Sequence, residues 1–106
     1  MNKEISAAEA AKYIRSDPGT VLLDVREPSE LEICRIDGAL HIPMGEIPER
    51  AETLPQDGRL IVLCHHGMRS AKVQAYLIAR GFENTANLTG GIHAWAEEVD
   101  PEMARY

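Results

Sequence analysis

A cysteine, two histidines, a glycine, an arginine and a serine stand within seven residues: Cys64-His65-His66-Gly67-Met68-Arg69-Ser70. The apolar run Leu60-Ile61-Val62-Leu63 leads into them, and a helical pattern follows from Ser70. A thiol at the junction of a buried strand and a helix N-terminus faces many backbone N–H donors. Such donors favour the thiolate, the reactive form of cysteine. If Cys64 to Arg69 curls with its amides inward, it forms an anion-binding nest continuous with the helix start. Gly67 permits the backbone turn. His65, His66 and Arg69 add donors, and Arg69 adds a fixed positive charge. The predicted chemistry is nucleophilic catalysis by Cys64 on a small oxyanion or a sulfur-bearing substrate. The competing reading of Cys64 is a buried hydrophobe at a strand end.

Spacing narrows the chemistry. A cysteine phosphatase loop has arginine six positions after the cysteine and histidine just before it; here Arg69 comes at five, Ser70 at six, and Leu63 precedes. A thioredoxin-type dithiol needs Cys-x-x-Cys, and position 67 is glycine. Adjacent Cys64, His65 and His66 do not converge easily on one zinc ion, and the sequence has no second ligand cluster. Sulfur transfer through a cysteine persulfide remains. A phosphatase or arsenate reductase, and a binding or regulatory module without catalysis, stand as alternatives.

The elements that position this loop read as an alternation. Ser6-Ala7-Ala8-Glu9 has capping-box spacing and opens a helix to about Arg15, closed by Asp17-Pro18-Gly19. Residues 21–25 form a buried strand, 28–33 one or two helical turns, 39–42 a weaker strand ended by Pro43, and 46–54 a modest helix. Leu60 to Cys64 is the clearest strand and Ser70 to Arg80 the clearest helix. A short strand over 85–88, a Gly90-Gly91 turn and a helix over 92–99 complete the pattern, with Ile92 and Trp95 as core anchors. The tail 100–106 reads as loose. Alternating strands and helices predict an α/β fold: a mainly parallel sheet of about five short strands with helices on both faces. Sites in such sheets lie beyond the C-terminal strand ends, where Cys64 falls.

The 106 residues suit a single domain, and 44% hydrophobic with 26% charged residues suits a soluble globular chain. A net charge of −6 without a basic stripe argues against nucleic acid. The N-terminus lacks an apolar signal core, and no apolar run is long enough to span a membrane. Two cysteines do not make a disulfide scaffold. The expected setting is a reducing, cytoplasmic one.

At this point the chain resembles the single-domain form of the rhodanese family of sulfurtransferases. Cys64 to Ser70 resembles the six-residue active loop, and Leu23-Asp24-Val25-Arg26-Glu27 the first-strand motif. Ile36-Asp37-Gly38-Ala39-Leu40-His41-Ile42-Pro43 resembles the family's His-Ile-Pro-Gly-Ala…Ile-Pro segment, and Leu88 to Trp95 its Gly-Gly…Trp segment. Arg35 and Asp37 depart from the usual histidine and proline. The whole is similar to the rhodanese domains attached to E1-like adenylyltransferases that serve sulfur-carrier proteins. The resemblance implies that Cys64 takes sulfane sulfur from thiosulfate or another persulfide donor and passes it to a thiol or cyanide. It implies His65, His66, Gly67, Met68, Arg69 and Ser70 as the substrate-binding loop, with no metal and no organic cofactor. A sulfur-carrier protein or an E1-like enzyme is the implied protein partner.

Within that loop, histidines replace the fixed positive charge of strong thiosulfate users, which gives persulfide donors weight. Arg69 reads equally as a ligand for substrate anions or as a cap on loop carbonyls. Asp24 and Arg26 read as a scaffold ion pair ahead of a supporting role in catalysis. Cys34 reads as buried filler ahead of a resolving thiol.

Overall fold

Four consecutive apolar residues at 60–63 require a strand covered on both sides, and the computed structural model, which describes residues 1–106, places them at the centre of a sheet. This strand, β4 (Leu60–Leu63), lies between β2 (Val21–Asp24) and β5 (Thr85–Leu88). The edges are β1 (Glu4–Ile5), beside β5, and β3 (Leu40–His41), beside β2. The order is β1-β5-β4-β2-β3 and every pairing is parallel.

Period-2 alternation sorts the core into two layers. Leu22, Ile61, Leu63, Ala86 and Leu88 face α1 (Ala7–Ser16) and α5 (Gly91–Glu98). Leu23, Val25, Leu60, Val62 and Cys64 face the other way, with Val73 and Leu77 of α4 (Met68–Ala79) and Ile47 of α3 (Ile47–Arg50). The expected parallel sheet with helices on both faces is what the chain forms. A short helix, α2 (Pro28–Leu31), follows β2.

Ser6 caps α1 as its spacing predicts: the Glu9 amide donates to Ser6 Oγ at 3.1 Å and the Ser6 amide to Glu9 Oε1 at 3.4 Å. Three expectations need correction. The helix expected over 46–54 is α3 flanked by 3-10 turns at Met44–Glu46 and Ala51–Thr53. Helices this short are held by packing, here of buried Ile47, Ala51 and Leu54, and not by propensity. The helix expected from Ser70 begins two residues earlier, at Met68, because Gly67 takes the left-handed conformation (φ 109°) as its N-cap. The tail is not loose: the Asp100 amide donates to the Trp95 carbonyl at 3.0 Å, Arg105 Nη2 to the Ala96 carbonyl at 3.1 Å, and Met103 packs on the core.

Strands β2 and β4 end side by side, with Asp24 opposite Leu63. The chain leaves β2 toward β3 and β4 toward β5, in opposite directions across the sheet. Such a switch point opens a crevice beyond the strand ends, and Arg26 and Cys64 both emerge there.

Candidate active site

Cys64 continues the inward alternation of β4 and is buried. Its Sγ accepts from the Gly67 amide at 3.1 Å, the Ser70 amide at 3.4 Å and the Ser70 hydroxyl at 3.3 Å. All three donors belong to the first turn of α4 or its N-cap, so the sulfur sits at the positive end of that helix. Burial pushes the thiol up, but the Ser70 hydroxyl and the amides of Ser70, Gly67 and His66 outweigh it. The net pKa lies below that of an ordinary cysteine.

The Ser70 hydroxyl has one proton and two acceptors in reach, Cys64 Sγ and Asn87 Oδ1, the latter at 2.5 Å. With a protonated thiol, Sγ–H can donate to Oγ while Oγ donates to Asn87. With a thiolate, the hydroxyl can turn to the sulfur. Asn87 holds the loop a second time by donating from Nδ2 to the Gly67 carbonyl at 3.1 Å. Replacing Ser70 by alanine is expected to raise the pH midpoint of Cys64 alkylation and slow iodoacetamide at pH 7 several-fold. An unchanged midpoint would remove the hydroxyl from this account.

The outer side of the loop is fastened by α5. The Ile92 amide donates to the Cys64 carbonyl at 2.8 Å and the His93 amide to the His65 carbonyl at 3.2 Å. The loop thus lies between two helix N-termini. One set of amides surrounds the sulfur and the other binds the carbonyls of the same residues.

Arg69 caps no loop carbonyl. Its Nη1 and Nη2 donate to Glu30 Oε2 and Oε1 at 2.7 and 2.8 Å, a bidentate ion pair between α4 and α2. The Glu30 carboxylate also accepts from the Glu27 amide at 2.9 Å and from the Tyr106 hydroxyl at 2.8 Å. Arg69 is the chief cause holding the Glu30 carboxyl at about 2, against burial that opposes it, with the Glu27 amide and Tyr106 also lowering it. A folded-state pKa below the ordinary 4.5 means that ionised Glu30 stabilises the fold above pH 4.5 and loses that contribution as pH falls toward 2. Glu30→Gln is therefore expected to cost about 1 kcal/mol at pH 6. In urea titrations the gap from wild type should close between pH 4.5 and 2.

Asp24 and Arg26 form the buried scaffold pair. Arg26 Nε and Nη2 donate to Asp24 Oδ1 and Oδ2 at 3.0 and 2.7 Å, and Nη2 also donates to the Cys34 carbonyl at 2.9 Å. Arg26 Nη1 reaches the Tyr106 hydroxyl at 3.0 Å. Tyr106 thus bridges Arg26 and Glu30, and burial and Glu30 push its phenol up to about 12 against the pull of Arg26. Its ring stacks on His65 (centroids 3.8 Å, planes 11° apart), and its carbonyl is 2.7 Å from His65 Nε2. A carbonyl can only accept, which puts the imidazole proton on Nε2. Burial, His66 and Arg69 lower the His65 pKa, opposed by the Tyr106 carbonyl and Glu30.

His66 lies between His65 and His93, with centroids 3.9 and 5.3 Å away, and Met68 is exposed at the mouth. The rings face one another without converging, and no three His, Cys, Asp or Glu side chains form a metal-binding group. Cys34 packs with the layer opposite Cys64, beside Tyr106 and His65. Arg35, Asp37, His41 and Asp24 line a separate cleft of about 290 Å³.

Residues 6–98 match the model of the rhodanese-like domain. The chain belongs to the rhodanese-like family. YtwF of Bacillus subtilis, which carries a sulfurtransferase name, is 44% identical over 100 residues, covering 94% of this chain and 96% of its own. The Mycobacterium tuberculosis protein named probable adenylyltransferase/sulfurtransferase MoeZ is 38% identical over 104 residues; these are 96% of this chain but 26% of that protein. The crystal structure of a rhodanese-related protein from Thermoplasma volcanium superposes with a TM-score of 0.84 at 36% identity, covering 92% of this chain and 94% of that one.

Asn87, Glu30, Tyr106 and the Gly90-Gly91 pair contribute to this site beyond the residues singled out from sequence. Asn87 had a visible signal, an amide side chain inside a short strand just before Leu88. Glu30 and Tyr106 had none, because each reaches the loop only through the tertiary fold.

Proposed function

We propose that this chain is a sulfurtransferase that carries sulfane sulfur as a persulfide on Cys64. The observation that carries the reading is the three-donor cradle on Cys64 Sγ, from Gly67 N, Ser70 N and Ser70 Oγ. In the first step the Cys64 thiolate attacks the outer sulfur of thiosulfate or of an alkyl or protein persulfide. The donor's S–S bond breaks, and its electron pair leaves with sulfite or with the donor thiolate. In the second step a thiolate or cyanide attacks the outer sulfur of the Cys64 persulfide, and the Cys64 thiolate departs. The same amides hold negative charge in each state, so the cradle serves both halves of the cycle.

Neither step removes a proton from carbon or oxygen, so His65 and His66 line the loop without acting as bases. The cycle uses no metal and no organic cofactor. A small sulfur donor meets the loop, and a sulfur-carrier protein or an E1-like adenylyltransferase is the class of protein partner that fits. The MoeZ similarity supports that class.

The test is the intact mass of the protein after incubation with thiosulfate and, separately, with glutathione persulfide. A gain of one sulfur atom, reversed by cyanide with release of thiocyanate, is expected. No gain from either donor would overturn the reading.

A further inference from the structure

The only arginine or lysine in the loop from Cys64 to Ser70 is Arg69, and it is not free. Both of its terminal nitrogens bind Glu30, and Glu30 is held in place by the Glu27 amide and by Tyr106. Arg26, the other guanidinium at these strand ends, is buried and paired with Asp24. Lys72, one turn along α4, is exposed beside Met44 and Tyr76 and pairs with no carboxylate. The two guanidiniums at these strand ends are thus already matched by carboxylates, in a chain whose net charge is −6.

We infer that Glu30 is a specificity-determining residue: by pairing with Arg69 it cancels the loop's own fixed positive charge, which selects persulfides of thiols over the thiosulfate dianion as sulfur donors. This rests on the reading of Cys64 as the persulfide carrier. A dianion approaching Cys64 meets no uncompensated guanidinium, and the −6 background repels it. An alkyl persulfide needs only its outer sulfur at Cys64 and amides for the charge that remains. Glu30 acts through Arg69 and does not itself touch the reacting atoms.

Glu30→Gln keeps the side-chain size and removes the countercharge. With sulfur uptake followed by mass, the thiosulfate-to-glutathione-persulfide ratio of kcat/KM is expected to rise about tenfold over wild type. Added salt should also depress the thiosulfate rate of the variant relative to wild type, since the attraction of a freed Arg69 acts through solvent and is screened. A purely structural role for Glu30 would slow both donors together. The double variant Glu30→Gln, Arg69→Gln should lose the gain, which places the effect in Arg69. A Glu30→Gln protein that takes up sulfur with the wild-type ratio overturns the inference alone. Wild type that takes up sulfur from neither donor overturns the underlying reading and the inference with it.

Discussion

Cys64→Ser protein is expected to take up no sulfur from any donor while keeping the wild-type fold and melting temperature. Serine is nearly isosteric, and the Gly67 amide, Ser70 amide and Ser70 hydroxyl that meet Sγ can meet an oxygen in the same place. The cradle would remain and the nucleophile would be gone. A hydroxyl with these donors does not ionise at neutral pH, and oxygen offers no persulfide. Loss of uptake should therefore be complete, beyond four orders of magnitude in rate, the scale of removing a nucleophile. Cys34→Ser is the control. Cys34 packs with the opposite layer of the sheet, so its replacement should leave uptake at the wild-type level. Sulfur found on Cys64→Ser protein, or lost from Cys34→Ser protein, would move the carrier to the wrong thiol.

The position of Arg69 sharpens the choice among cysteine chemistries. A phosphatase needs its arginine directed at a trigonal-bipyramidal phosphoryl group inside the loop. Here the guanidinium is turned outward to Glu30 in a bidentate pair. What remains around the sulfur is backbone and one hydroxyl, which suits a single sulfur anion. The ring-size argument from the cysteine-to-arginine spacing thus meets a second, independent reason against phosphate.

How much of this was legible follows from the range of each interaction. The Cys64 cradle is built by residues three and six positions away, at a strand–helix junction marked by an apolar run and a glycine. Such local signals survive in a single sequence. The Glu30–Arg69 pair joins residues 39 apart, and the Tyr106–Glu30 bond residues 76 apart. No spacing rule connects them, and Tyr106 lay in a segment whose polar, turn-rich composition reads as a free tail. Composition describes what a segment can do alone. Here Met103, Arg105 and Tyr106 each find a partner only once α5, β2 and the loop are assembled. Strand β1 was missed for a related reason: two residues carry no periodicity, and its pairing with β5 is what makes it a strand.

Gly91→Ala is expected to be the most damaging substitution that leaves every functional side chain in place. Gly91 begins α5 at φ 61°, and a Cβ there would come within 2.5 Å of the Cys64 carbonyl oxygen and closer still to that of His65. These are the carbonyls that accept from the Ile92 and His93 amides. Backbone cannot swing aside as a side-chain tip can, so α5 must retreat and both bonds weaken. The left-handed conformation costs about 1 kcal/mol for alanine, and two weakened bonds about 1 kcal/mol each. The total, about 3 kcal/mol, should lower the melting temperature by more than 10 °C, on the order of 4 °C or more per kcal/mol for a chain of this size. Gly38→Ala isolates the conformational part: its φ is 84°, and a Cβ there meets nothing within 4 Å. It should cost only about 1 kcal/mol and leave sulfur uptake intact. Gly91→Ala should also slow uptake, because the peptide it displaces carries Cys64 and sets the sulfur against α4. Equal stability losses in the two variants would show that close approach of α5 to the loop contributes nothing, and that the glycine is needed for its backbone angle alone.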